Sequence, residues 1–325
     1  MTTTEAQFVH AVALDGNGGG RPLEPLAIDA ALAGPEVVWL HLDMNVQSAR
    51  EWIARREDID STIEDALLAN ETRPRAVSTD RGLLLVLRGV NMNPGAQPDD
   101  MVAVRLWIEP GRIISIRRRR VFSIQDIRDA IDAGRGPCSE GEFAVMLVEK
   151  LAERIGIIVD SIEELAQKAE TDSPAAEPNA LRTEVGAIRR RTAAIRRYLA
   201  PQRDALDRLY RNPGPLFASH EAEALREQAD RITRYLEDLE LVRERAIVLQ
   251  EELMNRVAQE QNSRIYLLSV IAAIFLPLTF VTGLLGMNVA GLPGTDDPAA
   301  FVISLLIMGG LGVALAVFFK WRRWI

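Results

Sequence analysis

The sequence predicts an α/β domain, a sheet flanked by helices, followed by long stalk helices and a two-helix transmembrane hairpin. Three observations predict it. Five short runs rich in Val, Ile and Leu, bounded by Gly, Pro or Asp, fall before Arg118. No Pro stands between Pro215 and Pro277 and no Gly between Gly214 and Gly283, so nothing local interrupts a helix there. Two C-terminal runs, Ile265 to Leu285 and Ala299 to Phe319, hold no charged side chain.

The strands are predicted at Phe8 to Leu14, Glu36 to Leu42, Leu83 to Gly89, Val102 to Ile108 and Arg112 to Arg117. Between them, Gln47 to Arg56 and Ser61 to Asn70 show helical spacing, with Asp58 or Asp60 placed to cap the second. From Ser123 onward the strand signal stops. Helices are expected at Ser123 to Ala133, Ser139 to Thr171 and Pro178 to Tyr210. Gly134-Arg135-Gly136-Pro137, Asp172-Ser173-Pro174 and Asn212-Pro213-Gly214-Pro215 break them. Asp15-Gly16-Asn17-Gly18-Gly19-Gly20 lacks the Lys-Ser/Thr of a phosphate-binding loop and reads as a flexible turn.

One helix is expected from about Ala218 through the first apolar run, roughly 100 Å at 1.5 Å per residue. Its apolar stripe, Leu225, Ala229, Ile232, Leu236, Leu239, Val242, Ala246, Leu249, Leu253 and Val257, has the three-four spacing of a buried seam. A second face carries Ile247, Glu251, Met254, Ala258, Gln261, Ile265, Leu268, Ala272, Leu276, Thr279 and Gly283, small and polar residues among larger apolar ones. Such a face either lines an aqueous path between copies or forms an oligomeric seam with no lumen. Pro277 removes the N–H that would bond the Ala273 carbonyl; the carbonyl then faces water or protein, or the proline simply kinks the helix.

Each apolar run is about 21 residues, or about 31 Å as a helix, which matches the hydrocarbon core of a bilayer. Arg256 and Arg264 precede the first run and Lys320, Arg322 and Arg323 follow the second, while the loop between carries Asp296 and Asp297 and no cation. The positive-inside rule places both termini in the cytoplasm, with Trp321 and Trp324 at headgroup level. The domains are then 1–216, cytoplasmic α/β with a helical hairpin; 217–264, stalk helix; 265–288, first transmembrane helix; 289–298, extracytoplasmic loop; 299–319, second transmembrane helix; and 320–325, basic tail.

Composition narrows the function class. Residues 1–263 hold 34 Lys and Arg against 44 Asp and Glu, a balance that disfavours nucleic acid and suits cations, and that also describes an ordinary solvated surface. The N-terminus lacks the basic start and apolar core of a cleavable signal. Cys138 is the single cysteine, which excludes an intramolecular disulfide and any Cys-cluster metal site. His10, His41 and His220 stand outside the apolar runs and read as surface or core residues. No catalytic triad, metal cluster or cofactor loop is visible, so an enzyme is disfavoured and no cofactor is expected. Arg117 to Arg120 reads as a lipid or anion patch or, more commonly, as a strand end entering solvent.

Gly286-Met287-Asn288 closes the first apolar run, and in that setting the chain resembles the CorA family of divalent-cation transporters. The same tripeptide also suits a helix stop, with Gly286 or Asn288 left-handed. Trp39 to Asp43, Arg88 to Gly95, Asp100 to Trp107, Gly134 to Pro137 and Val289 to Gly294 look like the ZntB zinc-transporter branch. The resemblance implies a funnel-shaped homopentamer in a bacterial inner membrane, with the first transmembrane helix lining the pore and zinc or another divalent cation as cargo. On that reading Glu251, Ala258, Gln261, Leu268, Ala272, Leu276, Thr279 and Gly283 line the path. Gly286, Met287 and Asn288 capture the ion at the mouth, Asn288 acting through the ion's water, and Asp296 and Asp297 shape the field there. Neutral oxygens suit a hydrated ion such as Mg²⁺ as well as Zn²⁺, so zinc rests on the resemblance. The alternatives are a magnesium, cobalt or nickel channel of the same family, or a membrane-anchored signalling or scaffold protein.

Overall fold

The computed structural model describes residues 8–70, 72–97, 99–287 and 298–322, in two compact units divided between Gln250 and Glu251. In the first, β1 (Phe8–Leu14), β2 (Gly20–Pro22), β3 (Val37–Asp43), β4 (Arg75–Ser78), β5 (Leu83–Gly89), β6 (Val102–Glu109) and β7 (Arg112–Arg117) make one sheet in the order β2-β1-β3-β7-β6-β5-β4. The β3–β7 pair is parallel and the other neighbours are antiparallel. Central strands are apolar on both faces because both are covered.

On one face Leu40, Leu42, Val86, Trp107, Ile114 and Ile116 pack with Ile53, Ile63 and Leu67 from α2 (Gln47–Ala54) and α3 (Ser61–Leu68), and Ile28 of α1 (Ile28–Leu32) joins them. On the other, Trp39 meets Phe143 of α5 (Glu140–Asp172), ring centroids 5.1 Å apart. A side-chain carbon at Gly89 would sit 2.6 Å from Leu151 Cδ2, so glycine sets how closely α5 lies on β5. α4 (Phe122–Asp132) packs on α5, and α6 (Pro178–Arg211) runs along β4 and β5, where Gln202 Oε1 accepts the Arg88 N–H at 2.7 Å.

The five expected strands are present to within a residue at their ends, and β2, β4 and α1 are among the short elements that were not expected. β2 is three residues ending in proline, β4 is the polar edge sequence Arg-Ala-Val-Ser, and α1 has five residues, so none carries enough apolar periodicity to show. The Asp15 to Gly20 segment is a built turn rather than a flexible one. Asp15 Oδ1 accepts the N–H groups of Asn17 and Gly19 at 2.8 and 2.9 Å, and Gly16 and Gly18 take positive φ. Of the two candidate caps for α3, Asp60 serves, accepting the Thr62 N–H at 2.8 Å, while Asp58 pairs with Arg112.

α7 (Ser219–Leu285) contributes to both units. Within the first, the expected seam from Leu225 to Leu249 is buried throughout. It lies on α5 and α6: Gly156 lets Tyr235 approach, Arg245 makes a two-pronged pair with Glu170 at 2.7 and 2.8 Å, and Arg196 pairs with Glu240. In the second unit the remainder of α7 meets α8 (Ala300–Trp321), where Gly312 faces Leu278 Cδ1.

Candidate functional site

Two hydroxyls in the apolar part of α7 bond back to the helix's own backbone. Ser269 Oγ donates to the Ile265 carbonyl and Thr282 Oγ1 to the Thr279 carbonyl, both at 2.9 Å, leaving little polar demand for lipid to meet. In their most apolar windows α7 has 6 % of its residues buried and α8 has none. The core helix of a soluble protein would be mostly covered, so these surfaces require a second apolar phase.

One α-type bond runs past the end of α7, from the Gly286 N–H to the Thr282 carbonyl at 2.9 Å, and the next tightens to the 3-10 pattern, from the Met287 N–H to the Leu284 carbonyl at 3.4 Å. Gly286 is not among the glycines with positive φ, so it is not the left-handed stop, and Asn288, the other candidate for that stop, lies outside the described residues. Asn288, Asp296, Asp297, Arg323 and Trp324 lie outside the described residues. Trp321 is exposed, with the Arg322 guanidinium 5.9 Å from its ring.

Glu251, Ala258, Gln261, Leu268, Ala272, Leu276, Thr279 and Gly283 are all exposed along one side of α7, Leu276 at 74 %. Ala272, Leu276 and Thr279 border an open hollow of about 630 Å³ with Phe275, Pro277 and Phe280. From Gln261 to Gly283 this side offers an amide and a hydroxyl and no charge, and Glu251 stands before it on the same side. Neutral oxygens of this kind exchange with an ion's water and do not chelate it.

One grouping escaped the sequence reading. Glu142, His220 and Glu221 bring ligand atoms within 4.8 Å of one another, from the starts of α5 and α7. Both carboxylates already have structural work there. Glu142 accepts the Cys138 N–H at 2.7 Å; Glu221, almost fully buried, accepts Ser139 Oγ at 2.5 Å and the Ala218 N–H at 2.7 Å. These are helix caps, and a Ser139–Glu142 and Ala218–Glu221 spacing is the signal that would have found them. Gly141 is required beneath, since any side chain would overlap the Glu221 carboxylate.

Of the other histidines, His41 is fully buried and His10 half-buried. His41 Nδ1 lies 2.8 Å from Ser115 Oγ, which also accepts Trp39 Nε1 at 2.8 Å, and burial pushes the His41 pKa well below its ordinary value, helped by Arg117 and His10. Burial and Arg128 lower His10 in the same way. Cys138 is exposed, and desolvation and the Glu142 carboxylate raise its thiol pKa, which disfavours the metal-binding thiolate.

Comparison with known proteins agrees with this architecture. The family model described as "CorA-like Mg2+ transporter protein" matches residues 35–322. The divalent cation transporter CmaX of Pseudomonas aeruginosa is 38 % identical over 99 % of this chain and 98 % of its own length. The zinc transport protein ZntB of Pectobacterium atrosepticum is 33 % identical over 98 % of this chain and 96 % of its own. The solved structure of full-length CmaX superposes with a TM-score of 0.84 at 37 % identity, covering 98 % of both chains. An α/β domain, a long helix and two apolar C-terminal helices, joined to a match of this extent, place the chain in the CorA-like family, a family of membrane transporters and not of enzymes.

Proposed function

We propose that the protein carries divalent cations through a path enclosed by α7 of five copies, with both termini in the cytoplasm. The observation that supports this best is the uncovered, mixed face of α7, which passes without interruption from Glu251 through an apolar span to Gly286. Two spanning helices cannot enclose water, so this face needs copies of itself to become a path. Glu251, Ala258, Gln261, Leu268, Ala272, Leu276, Thr279 and Gly283 would line it. Gly286, Met287 and Asn288 would form the mouth, Asn288 holding the incoming ion through its water, and Asp296 and Asp297 would raise the local cation concentration.

Zn²⁺ is the proposed cargo, supported by the zinc transport proteins among the relatives. The chemistry of the face favours a hydrated ion and is equally open to Mg²⁺, Co²⁺ and Ni²⁺. Uptake into a negative interior would release about 4.6 kcal/mol per 100 mV for a doubly charged ion, so no nucleotide motor is needed.

The test is flux into liposomes with Zn²⁺, Mg²⁺, Co²⁺ and Ni²⁺ presented singly, alongside native mass spectrometry of the detergent complex. Saturable divalent flux from a pentamer is expected, fastest with Zn²⁺. An assembled protein that moves none of the four ions would instead be a membrane-anchored scaffold, and Mg²⁺ moving faster than Zn²⁺ would overturn the cargo assignment alone.

A further inference from the structure

Arg105, in the middle of β6, is 2 % exposed. It stands on the same face as Trp107, opposite Val86, in a layer of otherwise apolar side chains. Its Nη2 donates to the Ala69 carbonyl at 2.9 Å, its Nη1 reaches Met44 Sδ at 3.6 Å, and its Nε is buried with no partner. Among the described residues no carboxylate pairs with it. Burial, then Arg118 and Arg88, hold its pKa down to about 10, so it is still a cation at neutral pH.

The neighbours that depress it are cations converging on one cavity of about 590 Å³. Arg88 is fixed there by the Met101 and Thr72 carbonyls at 2.9 and 2.7 Å and lies over the Tyr198 ring at 4.4 Å. Arg118 is held by Asn70, and Arg119 by Asp100 at 2.7 Å. Arg73 and Arg197 complete the lining with exposed side chains. Asp100 is the one acid among the described lining residues. Glu71, next in sequence to two of them, lies outside the described residues; counting it, guanidinium groups still outnumber acids six to two.

A buried guanidinium without a counter-charge is unfavourable, and placing further guanidiniums beside it makes it more so, unless an anion completes the set. Guanidinium groups are flat, permanently charged forks matched to oxyanions, and several of them converging select for more than one negative charge. The volume is in the range of small-ligand sites. We propose that this cavity binds a phosphate-bearing anion, with Arg105 as its buried floor and Arg73 and Arg197 at its rim. The site lies wholly within residues 1–250 and gives a cation transporter a receptor for a cellular anion.

The test is calorimetric titration and thermal unfolding of the full-length protein in detergent at fixed ionic strength. The probes are inorganic pyrophosphate and dihexanoyl phosphatidic acid, with sulfate as the control. Saturable binding of one pyrophosphate per chain, at least tenfold tighter than sulfate, is expected. Binding of phosphatidic acid alone would support the site with a lipid as its source. Arg73→Ala/Arg197→Ala, at exposed positions that leave the fold intact, should weaken binding tenfold or more. Arg105→Met should abolish it while leaving the ligand-free unfolding temperature unchanged or raised. Failure of both probes to bind, affinity equal to sulfate, or binding indifferent to these substitutions would overturn the proposal. Because the readout is binding, it stands or falls separately from cation flux.

Discussion

The two units of this chain solve burial in opposite ways. In residues 8–250 large apolar side chains such as Trp39, Phe143 and Leu106 are closed off from solvent. In residues 251–325 Phe275, Leu276, Phe280, Phe301 and Leu306 are each more than 59 % exposed. The first unit closes an apolar core of its own. The second is complete only with lipid and, on the proposed reading, with further copies.

The largest expected effect tests that contrast directly. Trp39→Ala, which removes a fully buried ring, should destabilise the first unit by about 3–5 kcal/mol in urea unfolding. Leu276→Ala, at a 74 % exposed position, should leave that transition unmoved. Equal losses from the two would mean that the units do not differ as described.

Next in size is the mouth. Asn288→Ala should reduce divalent flux in liposomes by about tenfold, roughly 1.4 kcal/mol of ion stabilisation, with the pentamer intact by native mass spectrometry. Full flux would remove Asn288 from the path.

A smaller effect concerns pH. His41 and His10 have folded pKa values below the unfolded value of about 6.5, so the unfolded chain takes up their protons first. Their contribution is fully present above about pH 6.5 and declines as pH falls below it, by at most about 1.4 kcal/mol per pH unit for each proton. His41→Gln should flatten the fall in urea midpoint between pH 6.5 and 5, and an unchanged slope would refute the assignment.

The smallest effect is at the entrance. Asp296→Asn with Asp297→Asn should slow uptake by about two- to threefold at low ionic strength and hardly at all in high salt, as a screened field requires. A loss independent of salt would indicate direct ligation.

What could be read in advance follows from how local each signal is. β3, β5 and β6 are apolar on both faces, and the two spans are continuous uncharged runs, so neighbours in sequence suffice to reveal them. The short edge strands and α1 take their form from the strands beside them. The arginine cavity was visible only as Arg117 to Arg120. Arg73, Arg105 and Arg197 lie far apart in sequence and meet through strand pairing and the path of α6. Glu142 and His220 are likewise joined by the meeting of two helix starts. Two of the expected site groups, Asn288 and the Asp296–Asp297 pair, lie outside the described residues and rest on sequence.

The ends of the sheet bear on assembly. β2 is three residues long and closes with Pro22, which has no N–H to offer, and β4 is a short polar strand with α6 lying along it. Neither border invites an unpaired strand from another molecule, so extension of the sheet into an open-ended ribbon is disfavoured. On the proposed reading, assembly then falls to helical surfaces, where a rotation can close a ring after a fixed number of subunits.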